Sequence, residues 1–327
     1  MSHEIKTATL EPVRNTYANI EKRFGDKPAN RYQEATYDIQ GETNFHYRPL
    51  WQPEFNLNDK TRTALKMEDW YAFKDPRQFY YGTYVNQRAK LQENAESNYA
   101  FFEKRQLVDR LPEEVKAKLI RFLLPLRHVE HTANLNDTYG VAYGFGTALT
   151  QALCFDAMDR LGIAQYISRI GLILDGNSGD ALSEAKRYWM DDSAWQGMRA
   201  LCEKSLVTED WFELFVAQDL VLDSLVVDLY YRQLDEWLTE NDGRDVAMLT
   251  EFMQEWLKDR TRWLDAVMKV AVKESDENKQ LIAEWVTKWR GMASEALAPI
   301  AQEMLGEGAL DSAQDILDKR LKKIGIS

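Results

Sequence analysis

A chain of 327 residues with 45 % hydrophobic content can bury one large core or two ordinary ones without disulfide or metal staples. Its 53 acidic residues outnumber 41 basic ones, and the net charge of -12 would repel a phosphate backbone, which argues against nucleic acid as a partner. Cys154 and Cys202 lie far apart with no Cys or His at zinc spacing. No apolar leader follows Met1 and no run of about 18 apolar residues occurs, so a reducing, cytoplasmic setting is expected.

Pro12, Pro28, Pro49, Pro53 and Pro76 crowd the first 76 residues, interleaved with Tyr32, Tyr37, Phe45, Tyr47, Trp51 and Phe55 in no helical period. Residues 1–75 therefore read as an extended arm preceding a folded domain at 76–327. So aromatic an arm would be poorly solvated if free, and it lies either on its own helices or on a partner. The overall aromatic content of 12 % fits the same pair of readings, a Trp-rich core or a large contact surface.

From Pro76 the pattern becomes helical. Residues 77–108 place Phe79, Tyr84, Ala95, Tyr99 and Phe102 at helical spacings, and a second helix opens near Pro112 with Glu113 and Glu114 at its positive end. Pro125 should kink that helix, after which the pattern continues through Asn134 into residues 140–160. There Gly140, Gly144, Ala148 and Ala152 recur every fourth residue, which predicts one face of small side chains against a neighbouring backbone. Asp175 to Gly179 reads as a loop, Ser193 to Gln196 as a capping box, and Thr208 as the cap of the next helix. From Trp211 to Tyr231 nearly every face is apolar, the mark of a central helix surrounded by others. Asn241-Asp-Gly243 ends it, and residues 245–273, 277–298 and 309–323 read as three more helices. The fold class is all-α, a ferritin-like helical bundle carrying an extended N-terminal arm.

Such bundles build di-metal sites from a Glu on each of two helices and Glu-x-x-His on the other two, because i and i+3 share a face. None is present: the residues three before His46, His128 and His131 are Thr43, Pro125 and His128. His128 and His131 could share a metal, but Leu124, Thr132 and Leu135 flank them and supply no carboxylate, so structural histidines are expected. Gln218, Asp219 and Asp223 interrupt the apolar central helix. The two aspartates could hold a cation, but buried polar contacts between helices are the expected reading. No nucleophile motif or phosphate loop appears.

Several stretches resemble the β subunit of the hydroxylase in soluble multicomponent di-iron monooxygenases, most closely bacterial phenol hydroxylase. They are Arg31-Tyr-Gln-Glu-Ala-Thr-Tyr37, Phe45-His-Tyr-Arg-Pro-Leu-Trp51, residues 67–82, Leu126-Arg-His-Val-Glu-His-Thr-Ala-Asn134 and Trp195-Gln-Gly-Met-Arg199, together with the helix from Trp211. The resemblance implies a ferritin-like relative of the catalytic α subunit that has lost its metal site. Against the α-type ligand motifs, Leu124-Pro-Leu-Arg-His128 keeps the histidine but has Pro125 for Glu, Phe215-Val-Ala-Gln218 ends in an amide, and Asp259-Arg-Thr-Arg262 stands where a second Glu-x-x-His belongs. A first-helix Glu persists as Glu96, and Arg262 would set a cation where a metal should sit.

The resemblance further implies no catalytic residue and no cofactor in this chain, with di-iron in the partner α subunit of an (αβγ)2 complex that hydroxylates phenols. NADH electrons would arrive through a reductase, with a small coupling protein. Tyr37, Phe45, Tyr47, Trp51, Trp70, Phe79, Tyr80 and Tyr81 would face partner subunits. The alternative is an autonomous carboxylate-bridged di-metal oxidase using Asp219, Asp223, Glu96 and His128.

Overall fold

A computed structural model describes residues 18–25, 27, 29–41 and 48–326, and among these the chain is helical and contains no strand. Two short helices, Ala18–Phe24 and Arg31–Thr36, lead in. The second is set by a reciprocal cap: Gln33 N donates to Asn30 Oδ1 and Asn30 N donates to Gln33 Oε1, both at 2.9 Å. Ile20, Tyr32 and Tyr37 then pack with Tyr71 and Ala148 of the main body. The Asp75 N–H donates to the Tyr32 hydroxyl at 2.9 Å.

Residues 48–80 follow the surface without long helices but enter the core at intervals through Leu65, Trp70 and Phe73. Trp70 lies 5.9 Å from Phe145 and 5.7 Å from Trp211, ring centre to ring centre. Backbone groups freed from helical pairing find side chains. Lys66 exchanges two bonds with the Asn278 amide, 3.1 and 2.7 Å, and Ala64 N donates to Asp210 at 2.7 Å. Much of the described aromatic segment thus lies on this chain's own helices, while Trp51 stays exposed.

The bundle follows as helices Tyr81–Lys104, Leu126–Tyr143, Thr147–Leu174, a central run at 211–240, then Glu251–Glu274, Asp276–Leu305 and Ala309–Ile324. Between 113 and 124 the chain is helical but widens into a π turn at Leu119–Leu123 before Pro125, whose missing N–H ends the ladder. The helix at Asp276–Leu305 runs on through Pro299, past the expected end at 298.

Four expectations need correction. The helix expected at 245–273 is broken, a short helix at Arg244–Ala247 preceding a turn at 248–250 and the long helix Glu251–Glu274. Residues 140–160 are not one helix: the chain turns at Gly144–Gly146, where Gly146 has φ +87°, and Leu126–Tyr143 folds back on Thr147–Leu174 as a hairpin. The small residues therefore serve a tight turn. A Cβ on Gly144 would stand 2.3 Å from the Gly140 carbonyl oxygen, and one on Gly140 2.9 Å from Leu153. The cap before Ser193 is Asp192, which accepts from Ala194 N at 3.0 Å. Asp210, not Thr208, caps the central helix, accepting from Phe212 N and Glu213 N at 2.9 and 3.0 Å, because its carboxylate also complements the helix dipole.

Two π turns, Val216–Leu222 and Leu229–Gln233, widen the central run. A π turn aligns residues five apart, and the side chains use it: Gln218 Nε2 donates to Asp223 at 2.9 Å and Gln233 Nε2 to Asp228 at 2.7 Å. Its first turns are packed in aromatics, with Phe212 6.2 Å from Phe73 and Phe215 5.6 Å from Trp263. Its middle carries the polar residues.

Candidate functional site

Four helices turn charged side chains into one buried volume. Leu126–Tyr143 supplies Glu130 and Asp137, Thr147–Leu174 supplies Asp156 and Arg160, the central run supplies Asp219 and Asp223, and Glu251–Glu274 supplies Arg260. All seven are buried.

The two guanidiniums organise the rest. Arg160 contacts Glu130 and Asp219 at 3.2 Å each, Asp156 at 3.6 Å and Asp137 at 3.7 Å, and it bonds Asp223. Arg260 donates through Nε to both oxygens of Asp156 at 2.8 Å, lies 2.8 Å from Asp223, and bonds Asp219. The ring of Trp256 packs against both cations, 5.2 Å from the Arg160 carbon and 5.4 Å from that of Arg260, and its indole N–H donates to Asp159 at 2.6 Å. Gln218 closes one side, accepting from Asn136 at 2.9 Å while donating to Asp223.

Burial and charge divide the carboxyls. Burial raises Glu130 to about 7 against the opposing pull of Arg160, and raises Asp219 to about 7 against Arg260. It drives Asp137 well above the carboxylate range, helped by Asp219 and Asp156. At Asp156, burial is outweighed by Arg260 and Arg160, which hold it below the ordinary value. Both oxygens of Asp137 and Oδ2 of Asp219 are buried without a hydrogen-bond partner.

The cluster has the four-helix layout of a di-metal carboxylate site, but its residues do not fit one. It holds no histidine, and fixed cations already stand among its acids. Oxygens of Asp137, Asp156 and Asp219 come within 4.8 Å of one another, close enough for a shared cation, yet Arg260 already binds Asp156 and Asp219.

Of the positions compared with metal ligands, Gln218 alone joins this cluster. Glu96 is exposed and pairs with Arg169 at 2.7 Å. Pro125 is buried where the Leu126–Tyr143 helix begins. The His128 ring stacks on Trp189 at 5.2 Å, and burial, seconded by Arg127, lowers it to about 4; His131 is exposed. Asp259 lies 3.8 Å from Arg88. Arg262 is exposed and faces neither Pro125 nor Gln218; the buried cation on its helix is Arg260.

Sequence reasoning passed over Glu130, Asp137, Asp156, Arg160 and Arg260, although a signal existed. Arg260 shares a helix face with Trp256, Trp263, Leu264 and Val267, and Asp156 with Arg160 forms an i,i+4 pair between Leu153 and Ile163. Among the aromatics expected at a partner surface, Tyr37, Trp70 and Phe79 are instead buried in this chain's own packing. Tyr80 is half-buried, Trp51 and Tyr81 are each 71 % exposed, and Phe45 and Tyr47 fall outside the described residues.

Among the described residues no helix is long and apolar enough to cross a membrane. Comparison with known proteins places the fold. Residues 51–275 match the family model described as methane/phenol/alkene hydroxylase. The chain is 60 % identical, over 100 % of its length and 98 % of the relative's, to the phenol 2-monooxygenase oxygenase component MhpL of Acinetobacter pittii. It is 26 % identical to the hydroxylase component subunit beta of the toluene-4-monooxygenase system of Ectopseudomonas mendocina, covering 76 % of this chain and 75 % of that one. A crystal structure of xenon-pressurized phenol hydroxylase from Pseudomonas sp. OX1 superposes with a TM-score of 0.93 at 51 % identity, covering 98 % of each chain. With a family model spanning most of its length and a close relative matched end to end, the chain belongs to the methane/phenol/alkene hydroxylase family.

Proposed function

We propose that the chain is the structural, non-catalytic β subunit of a cytoplasmic multicomponent phenol monooxygenase, supporting an α subunit that carries the di-iron centre in an (αβγ)2 hydroxylase. The observation that carries this reading is the filled core: where a catalytic relative needs carboxylates free to hold metal, this chain commits Asp156, Asp219 and Asp223 to two arginines. The end-to-end likeness to an oxygenase component and the weaker one to a subunit named beta point the same way. On this reading, oxygen chemistry belongs to the partner. This chain's residues supply a rigid helical body and exposed aromatic contacts at Trp51 and Tyr81, beside Leu50, which is 94 % exposed. The bulk of the aromatic segment stabilises the chain itself, and only its outer rings clamp a partner. Reductase and coupling protein act on the assembled complex.

The autonomous oxidase draws no support from the geometry, since Glu96 and His128 stand apart from Asp219 and Asp223. Co-expression with an α-type chain tests the proposal. A stable complex by light scattering, weakened at least tenfold by Trp51→Ala with Tyr81→Ala, is expected; a chain that stays monomeric beside that partner contradicts it.

A further inference from the structure

We propose that Arg160 and Arg260 are the resident cations of this core, two guanidiniums standing in for a metal pair, so that the chain folds and holds its four helices together without any metal ion. This deepens the non-catalytic reading and rests on it.

The layout carries the inference. The acids come from three helices and the cations from two, so that all four contributing helices are cross-linked through charge, as they would be through bridging metals. Each guanidinium spans several acids: Arg160 reaches Glu130, Asp219 and Asp223, and Arg260 reaches Asp156, Asp219 and Asp223. A planar, permanently charged fork suits that task, as lysine would not. Trp256 covers both cations with its ring.

The charge balance agrees. Two guanidiniums cannot balance five carboxyls, and burial raises the proton affinity of Glu130, Asp137 and Asp219. Protons thus supply the positive charge that the arginines leave unmet. The same acids would become a cation site if a guanidinium were removed. Both oxygens of Asp137 and one of Asp219 are already buried without a hydrogen bond.

The test compares the full-length wild-type chain with Arg260→Ala, each melted in chelator, Mn2+ and Co2+, with Co2+ absorption recorded in parallel. The wild type is expected to melt at the same temperature in all three and to show no protein-bound Co2+ spectrum. Arg260→Ala is expected to lose many degrees in chelator, to recover several with Mn2+ or Co2+, and to develop the spectrum of carboxylate-bound Co2+; adding Asp219→Asn should abolish that recovery. A wild type stabilised by several degrees in Mn2+ overturns the proposal, as does a soluble Arg260→Ala that melts like wild type or ignores the cations. If Arg260→Ala is recovered only as aggregate, the wild-type melts decide alone. Failure to assemble with an α-type chain would refute the subunit reading and leave these melts unaffected.

Discussion

Two neighbouring stretches of the central helix, which serve as its aromatic and polar halves below, are both buried and held by opposite means. Its first turns rest on Trp211, Phe212 and Phe215 among Trp70, Phe73, Trp263 and Trp285, where contact is non-directional and each ring can shift slightly to fill space. A few residues on, Gln218, Asp219 and Asp223 face two guanidiniums, where removing one group leaves others charged and unsolvated. The lesson is that burial alone does not rank the importance of a residue here: the polar half should be intolerant of even conservative change, the aromatic half forgiving.

The largest contrast is expected from Arg260→Ala without added metal. Breaking a buried ion pair from one side should cost about 3–5 kcal/mol, read from urea unfolding. An effect below about 1 kcal/mol would erase the distinction between the halves. Arg260→Lys keeps the charge but cannot reproduce the Nε fork to Asp156, and a loss of about 1.5–3 kcal/mol is expected by the same assay.

The pH dependence is next in size. Glu130 and Asp219 hold protons up to about 7 when folded, against roughly 4 in an unfolded chain. Between those values the unfolded state releases protons that the folded state keeps, so stability falls as pH rises and levels off above about 7. Asp137 adds to the fall. His128, lowered to about 4, works the other way between there and its ordinary value near 6.5, but it is one group against three. The groups that set this window are the acids Asp156 and Asp223, the cations Arg160 and Arg260, and Tyr231, which adjoins Glu130. Melting temperature should therefore drop from about pH 5 to 8, and Glu130→Gln should flatten the slope; a rise across that range would break the account of the polar half. The smallest effect belongs to the aromatic half, where Phe212→Leu is expected to cost about 1–1.5 kcal/mol with an unchanged pH profile.

The same contrast governs what the sequence could reveal. Helices, the central run and its end at Asn241-Asp-Gly243 were legible because apolar period and breakers act locally. The bend at Gly144–Gly146 was not: small residues four apart suit a helix face and a hairpin turn equally, and only the fold-back on Leu153 decides between them. The π turns escaped too, since nothing local separates i+5 from i+4 pairing at Gln218 and Asp223. At the core, looking for lost ligands pointed to three of the four helices, took Tyr81–Lys104 in place of Thr147–Leu174, and chose the incorrect arginine. Arg262 was chosen by its place in a motif, whereas the helix period, with Trp256 and Leu264 one turn to either side, assigns the interior to Arg260. Partners brought from other helices, such as Glu130 to Arg160, are non-local and leave only the weaker mark of a charge on an apolar face.

One measurement bears most directly on the claim that this chain's cations are its own: elemental analysis of the full-length chain purified from iron-replete cells, beside the same chain in complex with an α-type partner. Iron is expected in the complex in proportion to the partner and absent from the chain alone; about two tightly held irons per isolated chain, as a di-metal carboxylate site binds them, would contradict the account.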